Sequence, residues 1–277
     1  MFNQMTFRQV QFLWIALFII TATGCKKQKI VEGTPIVFQS IKMDESQRIK
    51  SNSSSPMLNI QLNYQYPLSY SNLQTLAKVR QQMLHAFLPN LTDTSTDANL
   101  CMKADIQNKF NLYERTENFG NKESTTDKWW DKTTLVLRYN DNNLLSYTVE
   151  TNQFTGGNKT GVNLQNYILD LTTGEKLSES DIFSDDAINL VNEILLKKLK
   201  LKNNVQTSEE LVQIGYFDVA QIGQYKNLYL TEQGITYTFN ALEIGSYDLG
   251  TIEITLSFSD LEDLLMADSP ISKLYHN

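Results

Sequence analysis

The sequence has few of the residues on which most catalytic and metal sites depend. It contains two histidines and two cysteines in 277 residues. His85 falls one position off the apolar face of a predicted helix, and His276 is close to the end of the chain. A zinc site or a Ser-His-Asp triad would therefore depend on His85 alone. No P-loop, GxSxG or EF-hand pattern is present. We expect a protein that is not an enzyme and that needs no metal or cofactor.

Positive charge is also scarce. The chain has 24 lysines and arginines against 31 aspartates and glutamates, a formal net charge of −7. An acidic surface repels the phosphates of nucleic acid and the anionic headgroups of a membrane. The composition therefore argues against a nucleic-acid partner and against broad contact of the folded surface with a bilayer.

Only one long unbroken apolar run occurs, at Phe12–Ile20. A bilayer span needs roughly 20 apolar residues, so this run is typical of a signal-peptide core. Small residues and Cys25 follow, which resembles a bacterial lipobox, although Ala22 stands where many lipoboxes have leucine. The pattern predicts a signal peptide over residues 1–24 and a lipid on Cys25. The alternative is an ordinary secretory signal with an incidental thiol, and in the lipidated form Cys101 would have no disulfide partner.

A lipid on Cys25 would place the protein at a membrane, because several acyl chains anchor a protein almost permanently. Lys26 and Lys27 follow the cysteine, without the aspartate that can signal inner-membrane retention in some bacteria. We therefore expect a lipid anchor in the outer membrane, with the protein facing the periplasm.

The residues after the cysteine have the composition of a linker. Residues 25–56 include the serine-rich run Ser51–Ser55 and are predicted to be a tether with one candidate strand at Ile36–Ile41. The folded domain is expected to begin near Met57. We divide it into an N-terminal α+β subdomain over residues 57–165 and a C-terminal one over residues 166–277.

Alternating and helical spacings predict the elements of this domain. Met57–Tyr66 alternates as a strand, and Asn72 caps a helix that follows it. Leu228–Leu265 reads as strand, turn, strand, corner, strand and helix, with Ser259 and Glu262 as a capping box. Residues 98–119 fit a helix or an extended segment. Without a regular βαβ alternation, the fold class is α+β: antiparallel sheets with packed helices, in two subregions that form one compact unit.

Two places could bind a ligand. The bare backbone amides of Gly156 and Gly157, with Asn158 after them, could hold an anionic or sugar group, or the glycines could serve a turn that needs positive φ. Glu243 and Tyr247 lie in the predicted corner, where they could form a polar pocket or hydrogen bonds that hold the corner together. Trp129 and Trp130 could be a platform for sugar rings or could pack against the core.

Three segments together resemble a known family. They are Phe154–Gly157, the run Asp170–Leu177 that continues to Asp181–Phe183, and the stretch from Gly234 to Gly250. In order and spacing, they are similar to the domain of unknown function in the extracellular parts of the lysozyme-sensing anti-sigma factor RsiV and the peptidoglycan deacetylase PdaC. The same domain occurs in many Bacteroidota lipoproteins.

The resemblance implies a non-catalytic binding module for a wall glycan, a peptidoglycan fragment, or a wall-directed protein such as lysozyme. The alternatives are a structural component of an envelope complex and an accessory to a peptidoglycan hydrolase or deacetylase. Two departures bear on any ligand site. Family members commonly have Ala-His where this chain has Asn158-Lys159, and Pro-Tyr where it has Ala241-Leu242.

Overall fold

Six strands form a mixed sheet, called the first sheet below. The computed structural model describes residues 34–50, 55–91, 96–117, 128–156, 160–217 and 219–274. The strands lie in chain order: β1 (Val37–Arg48), β2 (Met57–Ser69), β3 (Lys128–Asp141), β4 (Leu144–Phe154), β5 (Gly161–Asp170) and β6 (Glu175–Lys176). Neighbouring strands are antiparallel except β2 and β3, which are parallel. A parallel pair needs a long crossover, and two helices occupy it here.

Strand β1 corrects the predicted tether. It lies within residues 25–56 and pairs with β2 along its whole length, from Val37 opposite Ser69 to Arg48 opposite Met57. The candidate strand at Ile36–Ile41 is therefore part of a longer strand, and the expectation that the folded domain begins near Met57 is wrong. β1 is an edge strand with mostly exposed polar residues, and such strands lack the apolar alternation that marks a strand in sequence.

Two helices cover one face of the first sheet: α1 (Leu73–Phe87) and α2 (Ala98–Glu117). The carboxamide oxygen of Asn72 accepts hydrogen bonds from the first turn of α1, as predicted. Over Ala98–Glu117, the structure resolves the open choice in favour of a helix. Its sequence signal is weak because Asp105 and Lys109 lie on its buried side, next to the sheet. The largest side chains buried in this core are Tyr64, Tyr147, Phe87, Leu58, Ile60, Leu62, Met83, Leu88 and Met102.

Three antiparallel strands form the second sheet: β7 (Leu228–Thr231), β8 (Gly234–Phe239) and β9 (Ile252–Ser257). Its helices are α3 (Asp185–Lys202), α4 (Ser208–Gln213) and α5 (Phe258–Leu261). This order confirms the predicted strand, turn, strand, corner, strand and helix. The capping box of α5 is Ser257 with Asp260, not Ser259 with Glu262. The helix begins earlier than predicted because Ser257 ends β9 and directly caps the helix that follows it.

The two sheets have separate apolar cores within one compact unit, which confirms the α+β class. The second core packs α3 against the second sheet. The predicted division at residues 165 and 166 falls inside β5, which remains hydrogen-bonded to β4 through Asp170. The boundary between the two regions therefore lies after β6. None of the helices described is long and apolar enough to cross a bilayer.

Candidate binding cleft at the junction of the two sheets

Buried polar side chains join the first sheet to the second. The Ser146 hydroxyl donates to the Tyr167 carbonyl and accepts from the Leu230 amide, both at 3.0 Å. Asn166 accepts from Thr148 at 2.7 Å and donates to Thr238 at 2.8 Å. Because buried polar groups are costly without partners, these bonds fix the position of the second sheet on β4 and β5.

Side chains form hydrogen bonds to the backbone along the outer edge of β5. Strand β6 pairs only with its last two residues. Farther along the edge, the Asn240 carboxamide accepts from Leu164 N at 2.7 Å and donates to Leu164 O at 3.1 Å. Asn227 donates to Leu164 O at 2.8 Å and accepts from Asn166 N at 2.9 Å. Two amides of the second region thus supply the hydrogen bonds that a neighbouring strand would provide.

Glu243 forms a hydrogen bond within the predicted corner between β8 and β9. Its carboxylate accepts from the Asn240 backbone N–H at 2.7 Å, and Leu242 between them has a φ of 73°. A positive φ is unusual for leucine, and it marks the sharp turn of the chain here. The contact orients Asn240 toward β5, and the half-buried Glu243 side chain also faces the cleft described below. Glu243 therefore has a structural contact, and its role toward a ligand stays a prediction.

Tyr247 connects the corner to the turn between β4 and β5. Its hydroxyl donates a hydrogen bond to the Thr160 carbonyl. At the other end of this turn, Gly156 has a φ of 79°, which fits the alternative that the glycine serves the turn. Gly157 and Asn158 lie outside the described residues, as does Cys25. The predicted corner therefore contacts Thr160, directly before β5.

A cleft of about 380 Å³ runs along the edge of β5. Amide and aromatic side chains dominate its walls: Asn163, Gln165 and Tyr167 from β5, and Tyr225 and Asn227 from the segment before β7. Gln165 accepts a hydrogen bond from the Tyr167 hydroxyl at 3.1 Å. Sequence reasoning placed Glu243 here but missed these side chains, although the run Asn163–Asn166 is unusually rich in carboxamides for a strand.

Two lysines reach the same cleft. Lys226 Nζ lies 3.3 Å from Oε2 of Glu179, whose side chain is 1% exposed, while the Lys226 side chain is 58% exposed. The other carboxylate oxygen of Glu179 accepts from Tyr237 at 2.8 Å. Burial and the neighbouring Glu179 charge raise the pKa of Tyr237 far above its ordinary value, so this phenol stays a hydrogen-bond donor. Lys176 Nζ lies over the Tyr167 ring, 4.8 Å from its centroid.

These groups suit a polar, uncharged or weakly charged ligand. Carboxamides offer donors and acceptors together, and tyrosine combines an apolar face with a hydroxyl. No group of three or more His, Cys, Asp or Glu side chains suited to a metal ion occurs among the described residues. Outside the cleft, Trp129 and Trp130 have aromatic partners: Trp129 contacts Tyr113 edge-on, and Trp130 stacks on Phe154.

Comparison with known proteins places one wall of the cleft in a recognised family segment. A family model described as a protein of unknown function, DUF3298, matches residues 180–259. That segment includes Tyr225, Lys226, Asn227, Asn240 and Glu243. The opposite wall, from β5 and β6, precedes it. No curated protein matches the chain.

Two crystal structures of DUF3298 family proteins have similar folds. The protein from Bacteroides fragilis is 22% identical, with a TM-score of 0.76, over 89% of this chain and 100% of that one. The protein from Pseudomonas aeruginosa is 13% identical, with a TM-score of 0.59, over 84% of this chain and 96% of that one. The likeness to RsiV and PdaC in particular stays a prediction. The chain thus carries a DUF3298 match at residues 180–259 and shares its fold with DUF3298 family structures.

Proposed function

We propose that this protein is a non-catalytic binding module, anchored by lipid in the cell envelope, whose junction cleft takes a glycan of the cell wall. The observation that carries the proposal is the cleft along β5, with its carboxamide and tyrosine walls. Wall sugars carry hydroxyl and acetamido groups, which need closely placed donors and acceptors. Their apolar ring faces need aromatic surface, which Tyr167 and Tyr225 supply.

The sequence pattern at Cys25 supports the lipid anchor. The position of β1 limits how far the folded domain can lie from that anchor. Val37, the first residue of β1, is 12 positions after Cys25 (37 − 25). An extended chain of this length spans at most about 40 Å. A lipid on Cys25 would therefore keep the domain close to the membrane surface. Anchoring in the outer membrane with the protein facing the periplasm is part of the proposal.

Titration with defined wall fragments tests the cleft. The full-length protein in detergent is titrated with disaccharide-peptide fragments of peptidoglycan by calorimetry. Gln165→Ala removes an exposed carboxamide from the cleft, and we expect affinity to fall about three- to tenfold, as for one lost hydrogen bond. Gln107→Ala is the matched control, because Gln107 is also exposed but lies on α2.

Two results would contradict the cleft assignment. The first is no binding of any fragment by the wild-type protein. The second is the same loss of affinity in Gln165→Ala and Gln107→Ala. If lysozyme binds while the fragments do not, the partner is a wall-directed protein and the glycan proposal is wrong.

Replacing the cysteine tests the anchor. We expect wild-type protein to sediment with membranes and its mature N-terminal peptide to carry the mass of a lipid on Cys25. Cys25→Ser should abolish both results. Recovery of the wild-type protein in the soluble fraction with an unmodified thiol at Cys25 would contradict the anchor.

A further inference from the structure

The first sheet has a second face that the helices do not cover. On β2, the side chains of Leu58, Ile60, Leu62 and Tyr64 lie in the core with α1 and α2, while the residues between them are half-buried and point the other way. The second sheet packs on part of that other face, over β4, β5 and the end of β3. The remaining part, over β2, β3 and the end of β4, is called the open face below.

Strand register orders the side chains of the open face into three rows. Residues opposite each other on neighbouring strands project to the same side of the sheet. The first row is Asn59, Trp130 and Phe154; the second is Gln61, Lys132 and Asn152; the third is Asn63, Thr134 and Glu150. All nine are half-buried. Strands are about 4.8 Å apart and alternate residues about 6.8 Å, so the grid covers roughly 10 by 14 Å.

The aromatic row is held in a fixed orientation. The rings of Trp130 and Phe154 stack with centroids 4.4 Å apart and planes inclined at 22°. The indole N–H of Trp130 donates to Asn152 at 3.0 Å, which sets the rotation of the ring. A half-buried aromatic pair held in this way presents a rigid apolar patch at one end of a polar surface.

Carboxamides occur in all three rows. Asn59 and Gln61 donate to the two carboxylate oxygens of Asp44 on β1, at 2.6 and 3.1 Å, so their positions are also set. Lys132 and Glu150 give the grid one charge of each sign. A surface without net charge does not select phosphate polymers, whereas fixed amides next to an aromatic patch match the hydroxyls and apolar faces of a sugar chain.

We propose that this grid, centred on Trp130, is a second binding site that holds an extended polysaccharide strand of the cell wall. The inference rests on the proposed function for its ligand class but uses none of the cleft residues. The aromatic row packs against sugar-ring faces, and the carboxamide rows bond to hydroxyl and acetamido groups. The flat, open shape suits a long strand, whereas the cleft suits a short fragment.

Titration of two ligands into wild-type and variant proteins distinguishes binding at the open face from binding in the cleft. Peptide-free glycan strands of peptidoglycan and short disaccharide-peptide fragments are each titrated into the full-length protein in detergent. We expect Trp130→Ala to weaken binding of the long strands about tenfold and to leave the short fragments unchanged. Trp130→Phe keeps an aromatic face and should retain most of the affinity. Circular dichroism and thermal unfolding establish that each variant is folded.

The outcomes distinguish failure of the inference from failure of the proposed function. Unchanged affinity for long strands in folded Trp130→Ala and in a Gln61→Ala variant would overturn the inference and leave the cleft intact. Absence of binding to either ligand by the wild-type protein would overturn both. If Trp130→Ala weakens binding of lysozyme and not of glycan strands, the open face is a protein-binding surface and the polysaccharide assignment is wrong.

Discussion

Side chains of β2 alternate between the two faces of the first sheet, and these faces differ in polarity. One face carries Leu58, Ile60, Leu62 and Tyr64, all fully buried under α1 and α2. The other carries carboxamides on β2, and where the second sheet covers it, polar side chains such as Ser146 and Asn166 make contacts beside apolar ones such as Leu144 and Ile168. The apolar face stabilises the fold by burial and can accept many apolar residues of similar size. The polar face depends on particular atoms, so a specific ligand site is expected there.

The largest effect should come from the apolar face. We expect Leu62→Ala to lower the free energy of unfolding by about 3–5 kcal/mol, because it removes a fully buried side chain and leaves a cavity. Its neighbour on the opposite face, Gln61→Ala, should change it by only about 0.5 kcal/mol. Urea denaturation measures both. Equal effects would show that the two faces are not energetically distinct.

The junction should come next. Asn240→Ala leaves the buried N–H and C=O of Leu164 without the Asn240 carboxamide, and we expect a loss of about 2–3 kcal/mol. Asn63→Ala is the control, because the hydrogen bond that Asn63 donates to Thr134 is long at 3.5 Å. If Asn240→Ala costs no more than this control in denaturation, the amides do not hold the second sheet on β5.

Tyr247→Phe should have a smaller and local effect. It removes one phenolic hydrogen bond to Thr160, which is worth about 1 kcal/mol. We expect faster hydrogen exchange at the start of β5 and unchanged exchange in α2. Uniform acceleration through both sheets would mean that the phenol stabilises the whole fold and not the contact between corner and turn.

The smallest effect on stability should come from Asp105, a buried residue of α2. Burial raises the pKa of Asp105; Lys109 opposes the shift and Asp131 adds to it. The native state therefore holds this proton more tightly than the unfolded chain. The contribution of Asp105 to stability should therefore fall as pH rises from the ordinary Asp pKa of 3.8 through the raised one.

Asp105→Asn should lack this loss of stability, so its unfolding free energy relative to wild type should increase from pH 3 to pH 7 in urea titrations. Lys103→Ala, an exposed change on the same helix, serves as the control. A difference between Asp105→Asn and wild type that is independent of pH would contradict the assignment.

Local patterns were enough to predict much of the fold. The alternation of β2, the Asn72 cap and the succession of elements from β7 to α5 follow from side chains close in sequence. The edge strand β1 was predicted only in part, as a candidate strand at Ile36–Ile41 within a tether, because its pairing with β2, and not its own composition, makes the polar residues after Ile41 a strand. The parallel pairing of β2 and β3 was missed for a similar reason, since it depends on where two helices bring the chain back.

The candidate cleft was predictable only in part. Glu243 and Tyr247 were found because they lie in a recognisable corner. The amide contacts of Asn227 and Asn240 with β5 join residues more than 60 positions apart in sequence, as does the contact between Tyr247 and Thr160. Lys226 and Glu179 are also far apart in sequence and come together only in the folded structure. The spacing of residues within a short stretch of sequence does not predict such contacts.

Hydrogen exchange in the presence of a wall fragment tests the central claim most directly. The full-length protein is compared with and without saturating disaccharide-peptide. We predict slower exchange at residues 163–167 and 224–227, the two walls of the cleft, and no change in α2. Binding without protection of either wall, or protection confined to α2, would contradict a glycan site at the junction of the two sheets.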